Sequence, residues 1–391
     1  MRCETHASAA VLLLAFLAVL AGGCGDAEPA TGPIPIGGIF TETGPAEDTE
    51  TLAGVQLALG EINHAGGVRV GDVRRPLELE ILDDRADPPV AVARANELVN
   101  QRGVVALLGP VKSTLAIPVG AVAERGGVPM ITSGSTNPAT TRGRAYVFRT
   151  IVTDDLQGAA AASFARDRLD ARKAAVVYEV SSPYSTGLAS SFSAGFVREG
   201  GRVSQRVPYT SDTSDRASGV QRLAGAEPDV LYLPNTAADA AAQGRRARRL
   251  DIDATLMGGD TWAEQNFLRA PHFRGSYHTA QWSPDRKDPR SRAFVAAYRK
   301  SAREEPSLYS ATAYDAVGLL AAAISKAGKA EPEAIREALD DVTVYEGVSG
   351  QLRYGRQGDP QTTIAVIRST PRGTQIVADI DPRAIAPEPA G

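Results

Sequence analysis

Residues 104–114 read Val-Val-Ala-Leu-Leu-Gly-Pro-Val-Lys-Ser-Thr. The apolar run Val104–Leu108 has the length of a strand and stops at Gly109-Pro110, which predicts a strand buried on both faces. Gly109 to Thr114 then opens a helical stretch, Thr114–Arg125, and a second apolar run follows at Val128–Thr132. Strand, helix, strand is a βαβ unit, and it predicts a parallel sheet with helices on both faces.

The pattern extends in both directions. Upstream lie strands Ile36–Phe40 and Leu77–Leu82 with helices Leu52–His64 and Val90–Arg102; downstream, after a turn around Asn137, Val147–Ile151 closes the set. It then restarts. Strands are expected at Ala174–Glu179, Arg202–Tyr209, Asp229–Pro234, Thr255–Gly258 and Ser276–Trp282. Helices are expected at Gln157–Leu169, Thr186–Glu199, Ser218–Ala224 and Ala237–Leu250. Two doubly wound α/β sheets in one chain is the reading. Helices Ser291–Arg303, Ala311–Lys326 and Pro332–Leu339, with strand-like pieces at Gly350–Tyr354, Thr363–Ile367 and Gln375–Ala378, complete the chain. The break between the halves, near Ile151–Asp155, is no Gly/Ser linker and predicts short, structured crossovers.

Composition agrees. The chain has 391 residues, 43% apolar and 23% charged, enough for two domains with cores. Its net charge of −4 lacks the basic excess that binding a nucleic-acid backbone demands.

The N-terminus predicts export. Arg2 precedes an apolar run, Ala9–Ala21, of about 13 residues, short of the roughly 20 that span a bilayer. Leu20-Ala21-Gly22-Gly23-Cys24 resembles a bacterial lipobox, with Ala21 where Leu is usual. Residues 1–23 are therefore expected to be a signal peptide and Cys24 the lipidated first residue of the mature chain. Residues 24–33 form a flexible tether, and the chain is held at a membrane by its lipid alone. Cleavage there removes Cys3 and leaves one Cys, with no internal disulfide.

Catalytic signatures are missing. His64, His272 and His278 stand at no metal-ligand spacing, there is no G-x-S-x-G elbow, and Gly109–Thr114 lacks the Gly that a phosphate loop places before its Lys. No cofactor or metal is expected. Two loops carry binding chemistry instead, each at the carboxyl end of a predicted strand, where open α/β sheets hold ligands. Ser113 offers a hydroxyl at a helix start, beside backbone N–H groups that suit an anion; a plain helix cap would read the same. Thr132-Ser133-Gly134-Ser135-Thr136-Asn137-Pro138 repeats that chemistry, with a polar turn before Pro138 as its bland counterpart.

A longer series is more specific. Gly44-Pro45, Ala53-Gly54, Glu61-Ile62-Asn63-His64-Ala65-Gly66-Gly67-Val68 and Asp83-Asp84 lead it. Leu108-Gly109-Pro110 with Ser113, Pro129-Met130-Ile131-Thr132, Thr136-Asn137-Pro138 and Val147-Phe148-Arg149-Thr150 continue it. Tyr184 with Gly187, Ala313-Tyr314-Asp315-Ala316 and Gly347-Val348-Ser349-Gly350 end it. In order and spanning residues 34 to about 355, the series resembles the leucine/isoleucine/valine-binding protein family, the type I periplasmic substrate-binding proteins of ABC importers. The resemblance implies two Rossmann-like lobes joined by three crossovers, 34–152 with 279–355 and 153–278 with 356–386, leaving 387–391 as a tail. It implies a ligand carboxylate held by Ser113, Gly134, Ser135 and Thr136. On the second lobe it implies Tyr184, and Asp260 paired with the ligand ammonium. It further implies a monomeric, non-catalytic receptor whose ligand is an amino acid and whose partner is an ABC permease.

Departures from the family shape the expected pocket. A disulfide found in some members is absent, its positions being Ala86 and Lys112, and Lys112 could reach an acidic ligand group. Glu47, Asp48 and Glu50 replace an aromatic wall, the Asn235-Thr236 region replaces a second Tyr, and Trp262 offers an aromatic face unless it belongs to the core. The pocket expected is more polar than one built for leucine. An amide, urea-like compound or small organic acid in the same cleft, or sensing through a membrane kinase or chemoreceptor, stays open. Arg245-Arg246-Ala247-Arg248-Arg249 reads as a solvated helix end.

Overall fold

The computed structural model describes residues 32–44, 47–210, 216–263, 270–355 and 358–385. The expected signal peptide, Cys24, the tether up to residue 31, Pro45 and the tail 387–391 lie outside the described residues.

The first sheet contains β1 (Ile34–Phe40); a hairpin of β2 (Val68–Val70) and β3 (Val73–Arg75) stands apart from it. β4 (Leu77–Asp83) and β5 (Ala106–Leu108) flank β1 in parallel, and β6 (Met130–Thr132) and β7 (Val147–Arg149) extend the order to β4-β1-β5-β6-β7. Helices on both faces bury β5, β6 and β7 along their whole length, which is why they read as apolar runs. Thr132 and Arg149, polar and fully buried in those strands, are the exceptions that matter below.

The second sheet is built from β8 (Lys173–Glu179), β9 (Arg202–Tyr209), β10 (Val230–Tyr232), β11 (Thr255–Gly258) and β12 (Tyr277–Ala280), all parallel. β13 (Val344–Glu346), β14 (Gln351–Tyr354) and β15 (Pro360–Gln361) form a small antiparallel sheet of their own. β16 (Ile364–Thr370) and β17 (Gly373–Ile380) then return as antiparallel strands beside β12, giving β17-β16-β12-β11-β10-β8-β9. Both sheets reverse their strand order once, between β1 and β5 and between β8 and β10. The loops at the carboxyl ends beside those reversals are where such sheets hold ligands.

The chain crosses between the lobes after β7, after β12 and after β15. Two crossings fall later than the sequence implies. β12 keeps residues 279 and 280 in the second sheet. The third crossing is at 362–363 rather than 355–356, because Pro360 pairs with Tyr354 and Asp359 bonds Arg149 at 2.7 Å. Gln281 ties the first two crossings to each other and to Ser349 of the first lobe. Its Oε1 accepts from Val152 N–H at 2.9 Å, and its Nε2 donates to the Thr150 carbonyl at 3.0 Å and to Ser349 Oγ at 2.8 Å.

Leu308–Ala327, long and apolar enough by length and composition to cross a membrane, is here a mostly buried helix of the first lobe. It lies against the helix Thr49–His64, where a Cβ on Gly54 would overlap the Ser310 carbonyl, so only glycine allows the two backbones to touch.

Candidate ligand-binding site

Ser113 is the first residue of the helix Ser113–Gly126, directly after the carboxyl end of β5, and is 4% exposed. Its Oγ accepts from Ser135 Oγ at 3.0 Å and from the Asn137 N–H at 3.3 Å. A hydroxyl that spends both lone pairs this way still has its hydrogen to give, and the helix start favours an anion to receive it. The loop after β6 is folded by its own polar side chains. Thr132 Oγ1 donates to the Pro110 carbonyl at 2.6 Å and accepts from Ser135 N–H at 3.2 Å, while Ser135 Oγ and Thr140 Oγ1 lie 2.7 Å apart. Gly134 is needed because a Cβ there would run into Val111. Thr136 Oγ1 is buried and has no hydrogen-bond partner among the described residues.

Beneath this loop lies Arg149, a residue missed as functional because it ends the apolar strand β7. Its guanidinium donates to the Ser135 carbonyl at 2.6 Å, the Asn137 carbonyl at 3.0 Å and Thr141 Oγ1 at 2.8 Å, with Asp359 as counter-ion. A buried cation thus braces the loop after β6 and adds positive potential behind it.

The second lobe supplies the opposite pole. Asp260 follows Gly258-Gly259 at the carboxyl end of β11 and is 1% exposed, with neither carboxylate oxygen partnered among the described residues. Burial lifts its carboxyl to about 6, against the pull of the neighbouring Tyr184 hydroxyl, the Gln157 amide and nearby N–H groups. Tyr184, near the start of the helix Pro183–Arg198, has its hydroxyl 3.1 Å from Thr261 Oγ1, and its own ionisation is pushed far up, by burial first and then by the charge of Asp260. Gly259 leaves the space that hydroxyl occupies. Asn235, expected where a pocket tyrosine is missing, instead braces this end. Its Nδ2 donates to the Val177 carbonyl and Gln243 Oε1, and its Oδ1 accepts from Ser185 Oγ and Glu179 N–H.

Three more residues gather here that the sequence did not flag: Asp154 and Gln157 on the helix Asp154–Asp167, and Tyr232 at the end of β10. Asp154 Oδ1, Gln157 Nε2 and the Tyr232 hydroxyl are all buried without a partner among the described residues. Contacts link the two poles. Asn137 Nδ2 donates to Asp154 Oδ2 at 3.2 Å and, across to the other lobe, to the Pro183 carbonyl at 2.7 Å, while Asp154 N–H reaches the Thr136 carbonyl at 2.9 Å.

Other expectations land elsewhere. Trp262 meets Phe273 edge-on in the core of the second lobe and lies over Gly258, where any side chain would overlap it. Of the acidic stretch, Glu47 is exposed, whereas Asp48 is buried with Oδ2 accepting from Thr41 N–H at 2.9 Å. Burial raises Asp48 to about 6, and the Lys112 ammonium opposes the rise, which places Lys112 at this rim beside Ser113. A cavity of about 430 Å³ opens among the crossovers, lined by Gln281, Arg286, Arg290, Arg353 and Arg383 among others. Three of those arginines are spent on Asp379, Glu346 and Asp381.

A model of the periplasmic binding protein family matches residues 33–374. A leucine-, isoleucine-, valine-, threonine- and alanine-binding protein of Pseudomonas aeruginosa is 31% identical over 310 residues, 78% of this chain and 81% of that one. A Leu/Ile/Val-binding protein of Rhizobium johnstonii is 32% identical over 332 residues, 83% of this chain and 88% of that one. Among solved structures, the branched-chain amino acid transporter substrate-binding protein of Streptococcus pneumoniae, in complex with isoleucine, matches with a TM-score of 0.82 at 27% identity, covering 89% of this chain and 99% of that chain.

Proposed function

The chain belongs to the periplasmic binding protein family, and on that premise we propose that it is the exported, Cys24-lipidated receptor of an ABC importer, taking an α-amino acid between its lobes. The ligand carboxylate lies at Ser113, Gly134, Ser135 and Thr136, and its ammonium at Asp260 beside Tyr184. One observation carries this reading: a fully buried Asp260 on the second lobe whose oxygens lack partners among the described residues, set against a Ser113 hydroxyl on the first lobe with its hydrogen unspent. A zwitterion answers both, with a charge-assisted bond at each end. Asp48 and Lys112 at the rim favour a side chain less apolar than leucine. The receptor acts by binding. Ligand that touches both lobes shifts the equilibrium toward the arrangement bridged by Asn137 and Pro183, and the permease reads that arrangement.

A thermal-shift series tests the ligand class. L-leucine, L-threonine and L-alanine, each beside its deaminated acid, are added to protein freed of carried-over ligand. At 100 times its dissociation constant a true ligand adds about 2.7 kcal/mol, a rise of several degrees. Shifts with α-amino acids alone support the reading; shifts only with acids or amides keep the fold and sink it.

A further inference from the structure

Arg149 is 0% exposed, and a guanidinium taken out of water needs a counter-charge close by. Among the described residues the carboxylate in ion-pair contact with it is Asp359, whose Oδ1 lies 2.7 Å from Arg149 Nε. The same oxygen accepts from Thr141 Oγ1 at 2.7 Å, and Thr141 Oγ1 accepts from Arg149 Nη2 at 2.8 Å. Backbone groups close the clasp. Arg149 N–H donates to the Gly358 carbonyl at 3.1 Å, and the Tyr354 hydroxyl donates to the Arg149 carbonyl at 2.9 Å. Gly358 has a φ of +69°, and a Cβ there would come within 2.6 Å of the Val147 carbonyl oxygen, so only glycine lets this segment lie along β7.

Three parts of the chain meet at this clasp. Asp359 and Pro360 lead into the third crossover. Thr150, directly after Arg149, opens the first crossover, whose far end returns to the loop after β6 where Asp154 N–H reaches the Thr136 carbonyl. That loop is the third part: its Ser135 and Asn137 carbonyls accept from the guanidinium at 2.6 and 3.0 Å. A trans peptide is planar, with its N–H opposite its C=O. Turning the Ser135 carbonyl onto Arg149 therefore turns the Thr136 N–H away from it. Without a carboxylate at 359 the guanidinium is buried with no ion pair, and a shift toward water would take its bonds to both loop carbonyls with it.

We infer that Asp359 is a positioning residue. Acting through Arg149, it holds the backbone of residues 135–137 in the orientation that meets the ligand carboxylate, and it ties that loop to the first and third crossovers. The positioning role rests on the amino-acid reading above; the tie rests on the clasp alone.

Calorimetry and ligand-free hydrogen exchange on the full chain test this with Asp359→Ala and Asp359→Asn, the second keeping an acceptor for Thr141 and removing only the charge. The probe is whichever of L-leucine, L-threonine and L-alanine binds the wild type most tightly. Asp359→Ala is expected to weaken its binding on the order of tenfold or more, at a temperature where the variant is fully folded. Without ligand, amide exchange is expected to quicken by about tenfold in residues 135–141 and in residues 150–153, with β8 and β10 unchanged. A purely structural Asp359 would lower the melting temperature and leave the affinity of the folded protein at its wild-type value, which overturns the positioning role. Faster exchange in the loop with the first crossover unmoved overturns the tie. If none of the three amino acids binds the wild type, the amino-acid reading falls with the positioning role, and the exchange pattern decides the tie. If Asp359→Ala does not fold, Asp359→Asn carries both readouts, and effects below about threefold overturn the proposal.

Discussion

On the proposed carboxylate side of the cleft, Ser113, Ser135, Thr132 and Arg149 are joined by hydrogen bonds of 2.6 to 3.3 Å into a self-braced loop. On the cation side, Asp260, Gln157 Nε2 and Tyr232 are buried just as deeply but have no such partners among the described residues. The first region is preorganised and yields geometry. The second holds a desolvation cost that the proposed ligand would remove. Affinity in such a site comes largely from relieving the unfinished half, and stability without ligand comes from the finished one.

That contrast can be broken experimentally. Arg149→Met should have the largest effect, on the order of 3–5 kcal/mol lost in urea unfolding, because Asp359 and the Ser135 carbonyl lose a buried cation. An unchanged midpoint would show that the loop holds itself. Asp260→Asn should act in the opposite sense. A carboxyl raised from 3.8 to about 6 makes the folded state bind more protons, so its stabilising contribution is full below pH 3.8 and lost as pH rises through 6. The variant should therefore be more stable than wild type at pH 7 by on the order of 3 kcal/mol and no more stable at pH 4, while amino-acid affinity falls at least 100-fold. Equal melting temperatures at pH 7 would remove Asp260 from the unfinished half.

Ser113→Ala sharpens the comparison at lower cost. It should take about 1–2 kcal/mol from ligand binding and barely move the unliganded melting temperature, since Ser135 keeps Thr140 as a partner. His278 provides the smallest effect and a control of opposite sign. Burial lowers it to about 3, so the unfolded chain takes the proton first and stability falls as pH drops below 6.5. At pH 5.5 His278→Leu should recover about 1 kcal/mol of that loss, and no recovery in a pH-dependent melt would mean that the imidazole is solvated.

Much of this was legible in the sequence. Apolar runs with Gly or Pro at their ends located the parallel strands, because burial on both faces leaves no room for polar alternation. Ser113 and the loop from Thr132 were visible because hydroxyls cluster after strand ends. Arg149, Asp154, Gln157 and Tyr232 were not. Each lies inside or against an apolar element, and its direction is decided by which helix approaches it, as Gly187 permits at Asp154. Trp262 was ambiguous for the same reason: the absence of a side chain at Gly258 draws its ring inward, and only packing shows it. The strands β2, β3 and β13 escaped notice because three residues are too few to show a period, whereas β14 falls within the strand-like piece Gly350–Tyr354.

Gln281 has a consequence for how the receptor moves. One side chain bonds the first crossover at Thr150 and Val152 and reaches Ser349 beside the small sheet, from its own place in the second crossover. Two crossovers that could each twist independently are thereby tied to each other and to the first lobe. In the receptor proposed above, such a tie would couple the twist of the two crossovers and limit the configurational freedom surrendered on binding.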